Sequence, residues 1–137
     1  MAATTRLQAA TLALLLALPA GAQAQDATAG EQVFNKCKTC HQIGPSAKNS
    51  IGPVLNGVVG RKAGSVANYS YSGANKASGI TWDEASLKEY LKNPQVKVPG
   101  TKMAFPGLPK EQDIDNVVAY LQQFGPDGTK PWSGAGR

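Results

Sequence analysis

The most constraining feature of this sequence is the pentapeptide Cys37-Lys38-Thr39-Cys40-His41, which holds both cysteines and the single histidine of the chain. Two cysteines three positions apart, followed by histidine, form the C-x-x-C-H pattern typical of covalent attachment of a c-type haem. Each thiol can add to one vinyl group of the porphyrin, and the adjacent histidine can then bind the iron as an axial ligand. We therefore predict a fold organised around one covalent haem c.

Two other kinds of site are compatible with the same pattern. A structural zinc site normally needs four Cys or His ligands, and this chain offers three. A thioredoxin-like redox pair lies at the start of a helix after a buried strand, whereas residues 30–36, which precede the motif, have a helical pattern. Haem attachment is the favoured interpretation.

The N-terminus has the organisation of a secretory signal peptide. Arg6 supplies a positive charge, residues 9–20 form an apolar stretch, and an A-x-A cleavage motif ends at Ala24. We therefore expect cleavage of residues 1–24 and a mature periplasmic protein that begins at Gln25. The alternative is an uncleaved membrane anchor, but a spanning helix needs about 20 apolar residues, and Pro19 interrupts this stretch.

Composition limits the remaining possibilities. Loss of Arg6 leaves 13 basic residues against 9 acidic ones, a net charge of +4, and the lysines are scattered singly. This pattern argues against a nucleic-acid-binding protein. With 15 glycines, 9 prolines and only 7% aromatic residues, a domain this small has few large apolar side chains to form a core. It would be marginally stable without a cofactor. An inserted porphyrin would supply the missing apolar mass.

Three main helices are predicted. The first starts at a capping box with Thr28 as N-cap, the second starts at a capping box with Thr81 as N-cap and ends at Asn93, and the third covers residues 110–124. About 40 residues between the first two lack strand alternation, a length that suits a loop wrapped around a cofactor. The positions predicted from helical periodicity to be buried are Val33, Phe34, Leu87, Tyr90, Leu91, Ile114, Val117, Val118 and Leu121.

The second axial ligand determines what a haem can do. Once Met1 is removed with the signal peptide, Met103 is the only thioether left, and it lies in a loop rich in proline and glycine, residues 99–106. The alternative is a methionine that fills a gap in the core. Beside a haem motif we predict Met103 as the axial ligand, since His/Met ligation fills both axial positions and raises the reduction potential.

Beyond the haem motif, the chain contains an ordered set of short segments: 52–55, 60–64, 69–76, 79–82, 90–94, 99–103 and 119–121. In order and content, this set resembles the landmarks of class I c-type cytochromes, and it is most similar to bacterial cytochrome c2 of the mitochondrial cytochrome c type. The resemblance implies an all-α fold, with three main helices and long loops wrapped around one covalent haem, over residues 25–125. Residues 126–137 match no landmark, and we expect a loosely ordered extension there.

The resemblance also assigns roles to residues. The first and last helices would cross where Gly30 and Phe34 meet Tyr120 and Leu121. The carbonyl of Pro53 would accept a hydrogen bond from the ring of His41, and Tyr90 would lie near the sulfur of Met103. The residues expected to bond the haem propionates are Arg61, Tyr71 and Trp82, although Tyr71 and Trp82 could also be simple core aromatics. The lysines expected around the exposed haem edge are Lys36, Lys38, Lys48, Lys97, Lys102 and Lys110, although scattered lysines also simply keep proteins soluble.

The resulting prediction is a monomeric one-electron carrier of the periplasm, and not an enzyme. Its expected donor is a membrane cytochrome bc complex, and its acceptor is a photosynthetic reaction centre or a terminal oxidase. Two alternatives stay open from the sequence. One is a haem enzyme, such as a peroxidase or gas-binding protein, with an open sixth coordination site. The other is a cytochrome that serves as partner or subunit of one periplasmic dehydrogenase.

Overall fold

The computed structural model describes residues 24–131, so the predicted signal peptide falls almost wholly outside the described residues. Within that range the only β-type pairing is one isolated antiparallel bridge, between Lys62 and Thr81. None of the helices found between residues 24 and 131 has the length and apolar character needed to cross a bilayer. The helices are α1 (Ala27–Phe34), α2 (Gly73–Ala77), α3 (Glu84–Lys92), α4 (Pro94–Lys97) and α5 (Glu111–Gln122). The predicted all-α class is confirmed.

Two predicted helix starts were wrong. Helix α1 is capped by Asp26 instead of Thr28: the Asp26 carboxylate accepts hydrogen bonds from the backbone N–H groups of Thr28 and Ala29, at 2.8 and 3.0 Å. Helix α3 is capped by Asp83, whose carboxylate accepts the N–H three residues later at 2.7 Å. Thr81 does not begin the helix because its two neighbours are paired with residues 61–63: the N–H of Trp82 donates to the carbonyl oxygen of Arg61, and the carbonyl oxygen of Ile80 accepts from Ala63, both at 2.8 Å. Aspartate and threonine are both good N-caps, so tertiary pairing decided between them.

Two helices of four and five residues were not predicted. The side chain of Asn93, which ends α3 as expected, also accepts the N–H of Val96 at 3.2 Å and so starts α4. Helix α2 is capped by Ser72, whose hydroxyl accepts the N–H of Asn75 at 3.0 Å. Both helices are too short for an apolar period to be visible in the sequence.

Helices α1 and α5 cross in direct backbone contact. A Cβ placed on Gly30 would lie 1.9 Å from the carbonyl oxygen of Asn116 and 2.9 Å from the Cβ of Tyr120. One turn further along, the rings of Phe34 and Tyr120 lie 5.3 Å apart. The first and last helices therefore meet where the resemblance implied, and a glycine allows the close approach.

The core is formed by α1, α3 and α5, together with residues of the loops. All nine positions predicted from helical periodicity are buried, among them Phe34, Val117 and Val118, each 2% exposed or less. Helix α5 packs against both α1 and α3. The loops add Val58, Ala63, Trp82, Val98 and Leu108 to the same cluster.

The segment after α5 differs from the expected loose extension over its first residues. The N–H of Gly125 donates to Thr129 at 3.0 Å, and the N–H of Gly128 donates to Gly125 at 2.9 Å, which closes a turn. Gly128 is buried. The ammonium of Lys130 lies 5.3 Å from the centroid of the Phe124 ring. Residues 132–137 lie outside the described residues.

Candidate functional site

One cavity of about 310 Å³ lies between the helices and the long loops. Its wall contains Cys37, Cys40, His41 and Met103, the four residues that the sequence singled out for haem attachment and iron binding. Most of the remaining wall is aromatic or aliphatic and includes Phe34, Leu55, Val58, Trp82, Leu87, Tyr90, Leu91, Phe105, Leu108, Val117 and Leu121. A mostly apolar cavity of this size with a few polar groups is typical of a cofactor site.

The haem motif continues directly from α1 as a tight turn. The N–H groups of Cys40 and His41 both donate to the carbonyl oxygen of Cys37, at 3.1 and 2.9 Å. Both cysteines are free and half-buried, so neither sulfur is used in a disulfide. Burial raises the pKa of the Cys37 thiol, with the neighbouring Cys40 acting in the same direction and Lys36 against it.

The imidazole of His41 is fixed from two sides. Its Nδ1 lies 2.8 Å from the carbonyl oxygen of Pro53, which can only accept; Nδ1 is therefore the donor, and Nε2 keeps its lone pair for a metal. A Cβ on Gly52 would lie 2.4 Å from the ring, so only glycine allows the backbone to pass this close to it. Burial lowers the pKa of His41, while the Pro53 hydrogen bond opposes that shift and the charge of Arg61 adds to it.

The loop that carries Met103 is organised around the hydroxyl of Thr101. This buried Oγ1 lies 2.8 Å from the hydroxyl of Tyr90 and accepts from the side chain of Asn75 and from the backbone N–H of Met103, both at 3.3 Å. The side chain of Gln95 donates to the carbonyl oxygen of Thr101 at 3.2 Å. Burial raises the pKa of Tyr90, and its hydrogen bond to Thr101 opposes that shift.

One buried polar atom in the cavity wall has no protein partner. Among the described residues, Oδ1 of Asn75 is the buried side-chain atom that no donor reaches. Buried acceptors are almost always satisfied in native proteins, so this atom indicates that a non-protein group or a water completes the cavity. Together with two free thiols and an imidazole whose Nε2 is available, it shows that the residues present fit a covalent haem.

The three residues expected at the haem propionates all line the cavity. The guanidinium of Arg61 donates from Nη1 to the carbonyl oxygens of Val54 and Asn56, at 3.0 and 2.9 Å. The hydroxyl of Tyr71 accepts the N–H of Val66 at 3.1 Å. Trp82 is buried, with its ring 4.7 Å from that of Tyr90. Their contacts with propionates stay predictions.

Two of the six predicted partner-binding lysines, Lys36 and Lys102, line the cavity. Lys102 also donates to the carbonyl oxygen of Ser70 at 3.2 Å. Lys97 is paired with Glu89 on α3. The remaining three are Lys38, Lys48 and Lys110, and neither they nor Lys97 line the cavity.

Sequence reasoning gave no role to Thr101, Asn75 or Tyr69. Thr101 lies two residues before Met103, and that proximity was the available signal. Tyr69 lines the cavity, donates to the carbonyl oxygen of Ile51 at 2.6 Å, and packs edge-on against Tyr71 with 4.8 Å between ring centroids. The bond of Tyr69 to Ile51 and that of Asn75 to Thr101 span 18 and 26 positions of the chain, and no local pattern reveals them.

Comparisons with known proteins agree with this geometry. A family model described as cytochrome c matches residues 27–125. Cytochrome c2 of Rhodoblastus acidophilus is 63% identical over 107 residues, which are 78% of this chain and 100% of the relative. Cytochrome c-554 of Methylosinus trichosporium is 57% identical over 122 residues, 89% of this chain and 92% of the relative. The solved structure of cytochrome cH from Methylobacterium extorquens has a TM-score of 0.68 and 50% identity, covering 72% of this chain and 98% of that one.

Proposed function

Because the chain belongs to the cytochrome c family, with one covalent haem c, and is an electron carrier rather than an enzyme, we propose that it is a periplasmic shuttle. It takes electrons from a membrane cytochrome bc complex and delivers them to a photosynthetic reaction centre or a terminal oxidase. The observation that carries this proposal is the presence of His41 and Met103 in the wall of the cavity that also contains both attachment cysteines.

In this proposal His41 and Met103 would hold the iron of the haem, which would supply a one-electron couple when bound. The Pro53 carbonyl, 2.8 Å from Nδ1, directs Nε2 of His41 to the metal and increases its strength as a ligand. Thr101 and Tyr90 hold the loop of Met103 in place through their 2.8 Å hydrogen bond. With both of these residues bound to the iron, the protein would exchange electrons but would not readily bind oxygen or peroxide.

The cavity wall also protects the redox centre from water. Trp82 and Tyr90 are both buried, 8% and 6% exposed, and form one side of that wall. In the proposal, Arg61, Tyr71 and Trp82 hold the propionates, and Arg61 is already fixed in the wall by its two carbonyl partners. A low-dielectric surrounding with fixed polar groups tunes the potential of a haem.

Partner binding in this proposal takes place at the part of the cavity rim that carries Lys36 and Lys102. Both side chains line the cavity, so an acidic partner attracted to them would approach the haem edge. Redox encounters bury little area and depend on electrostatic steering for their association rate. The other lysines predicted to take part are Lys38, Lys48, Lys97 and Lys110, of which Lys97 is paired with Glu89.

The periplasmic location rests on the N-terminal sequence. Residues 1–24 combine a positive charge, an apolar stretch and an A-x-A motif, and we propose that they are removed on export. Attachment of haem outside the cytoplasm would then follow on the exported chain.

The test is the rate of electron transfer to a purified bacterial reaction centre or bc complex, measured by flash photolysis or stopped flow. Charge reversal at Lys36 or Lys102 changes the local charge by two units. At about 10 Å from an acidic partner group in water, this change costs about 0.8 kcal/mol, a loss of about fourfold in the bimolecular rate at low salt. The loss should shrink as screening shortens to about 10 Å near 0.1 M salt.

Lys62→Glu is the matched control, since Lys62 is exposed and does not line the cavity. Lys88 is a poorer control because it is paired with Glu84 and Asp115, both at 2.8 Å. Equal slowing at Lys36, Lys102 and Lys62 would mean that only net charge matters, and docking at the cavity would be rejected. Rapid binding of carbon monoxide by the reduced wild-type protein would instead favour a haem enzyme with an open site.

A further inference from the structure

The turn formed by residues 125–130, called here the C-terminal turn, is a well-formed element beyond α5. In addition to its two backbone hydrogen bonds, the carboxylate of Asp127 accepts from the N–H and the hydroxyl of Thr129, at 2.9 and 2.8 Å. Its far end is fixed by Lys130, whose ammonium lies 5.9 Å from the centroid of the Tyr120 ring and 5.3 Å from that of Phe124. The turn therefore has a defined position on the domain.

The C-terminal turn lies in backbone contact with two loops that border the His41 side of the cavity. Gly128 has a φ of 77°, and a Cβ there would lie 2.2 Å from the carbonyl oxygen of Gly44 and 2.6 Å from Nδ2 of Asn56. A Cβ on Gly57 would lie 3.0 Å from Cα of Pro126. At both contacts a glycine lets the turn lie directly on the loop.

The residue under the turn, Asn56, joins those two loops. Its Nδ2 donates to the carbonyl oxygen of Gly44 at 2.9 Å, and its Oδ1 accepts the N–H of the same residue at 2.8 Å. Beside this pair, the N–H of Leu55 donates to the carbonyl oxygen of Gln42 at 3.0 Å. Residues 42–44, which follow His41 directly, are thereby fastened to residues 53–57, called here the proximal loop.

The proximal loop begins with Pro53, the residue whose carbonyl holds His41. Its backbone is fixed on the inner side by Arg61, which donates to the carbonyl oxygens of Val54 and Asn56. On the outer side it is covered by the C-terminal turn, and the N–H of Gly57 donates to the carbonyl oxygen of Phe124 at 3.2 Å. The position of the Pro53 carbonyl therefore depends on contacts on both sides of the loop.

We propose that the C-terminal turn is a positioning element for the axial histidine. Through its contacts with Gly44 and Asn56, the turn holds the proximal loop in position. The Pro53 carbonyl thereby stays within hydrogen-bond distance of Nδ1 of His41. The inference rests on the proposed function in one respect, the assignment of His41 as an iron ligand. A strong hydrogen bond at Nδ1 makes the ring a more basic ligand, which favours the oxidised iron.

The experiment compares three variants of the holoprotein with the wild type: Gly128→Ala, a chain that ends at Gly125, and the control Gly79→Ala. Gly79 also has a positive φ, 68°, but a Cβ there meets nothing within 4 Å. The control therefore reproduces the backbone strain of an alanine without the contact. The main measurement is hydrogen exchange of the His41 Nδ1–H in the reduced protein, followed by NMR, with the reduction potential as the second.

We expect exchange of the His41 ring proton to be at least tenfold faster in Gly128→Ala and in the shortened chain, because local opening of the proximal loop becomes more frequent. The reduction potential should rise in both, and both values should be unchanged in Gly79→Ala. If Gly128→Ala does not fold, the shortened chain alone decides the question.

The inference would be overturned if the ring proton of His41 exchanged at the wild-type rate in the shortened chain while only the amides of residues 124–125 became faster. It would also be overturned if Gly79→Ala accelerated His41 exchange as much as Gly128→Ala does. Neither result would affect the proposed electron carrier, which fails only if the wild-type protein lacks His41 ligation or electron transfer with its partners.

Discussion

The crossing of α1 and α5 gives the sharpest quantitative prediction, the effect of Gly30→Ala. The added Cβ would lie 1.9 Å from the carbonyl oxygen of Asn116 and 2.5 Å from its carbon. Both atoms belong to the backbone of a helix, so no side-chain rotation can relieve the overlap. The two helices must move apart, and the ring contact between Phe34 and Tyr120 must loosen with them.

The magnitude follows from two opposing effects of this substitution. Overpacking of a tight core costs about 1–3 kcal/mol, and a backbone overlap this severe belongs at or above the upper end of that range. Replacing glycine by alanine inside a helix by itself stabilises the folded state by about 1 kcal/mol. The expected net loss is about 2 kcal/mol of the free energy of unfolding, which corresponds to a fall of about 8–16 °C in Tm for a domain of this size.

The assay is guanidinium and thermal unfolding of the haem-loaded protein, followed by far-UV circular dichroism. Gly73→Ala is the matched control, because Gly73 is an exposed helical glycine whose added Cβ would meet nothing within 4 Å. We expect the control to be neutral or slightly more stable, by a few tenths to about 1 kcal/mol. Equal stability of the two variants would refute the close helix crossing and the packing derived from it.

Three further predictions address the ligand, the surface charge and the maturation of the chain. Met103→Ala should abolish the weak near-infrared absorption of a sulfur–iron bond, lower the reduction potential and let cyanide bind; an unchanged spectrum and potential would disprove this ligand. Lys88 and neighbouring amides lower the pKa of Glu84 from 4.5 to about 2, so its contribution to stability is full above pH 5 and is lost as pH falls towards 2. The difference in unfolding free energy between wild type and Glu84→Gln should therefore shrink between pH 6 and pH 3, although exposure of the pair keeps it small and salt-sensitive, and a constant difference would contradict the shift. Denaturing mass spectrometry of the exported protein should show a chain that begins at Gln25 and carries one haem that acid-acetone does not extract; a haem-free mass would contradict the attachment.

The parts of this fold that could be predicted are those with a local or periodic signal. Helix α5 places Ile114, Val117, Val118 and Leu121 on one face at helical spacing, and all four are buried. The haem motif is five consecutive residues, so its chemistry could be predicted without any tertiary information.

The parts that could not be predicted depend on contacts between distant residues. Thr81 and Asp83 were both good caps for α3, and only the bridge of Thr81 to Lys62 decided between them. The side chain of Asn56 pairs with Gly44 twelve residues earlier, and nothing in the local sequence around Asn56 indicates that partner. The packed turn after α5 was not predicted for the same reason: residues 126–137 match no landmark of the family, and the contacts of Gly128 with Gly44 and Asn56 are far apart in the chain.

The contact between the first and last helices constrains when, during synthesis and export, this protein can fold. The N–H of Asp26 donates to the side chain of Asn116, a contact that spans 90 positions of the chain. Because closing so long a loop must precede the stabilising contact, a chain that crosses a membrane N-terminus first cannot complete its fold until the last helix has emerged. If the chain is exported as proposed, the thiols of Cys37 and Cys40 would stay accessible for attachment to the porphyrin until the first and last helices pair. Late pairing of the two helices would thereby leave time for attachment before the cavity closes.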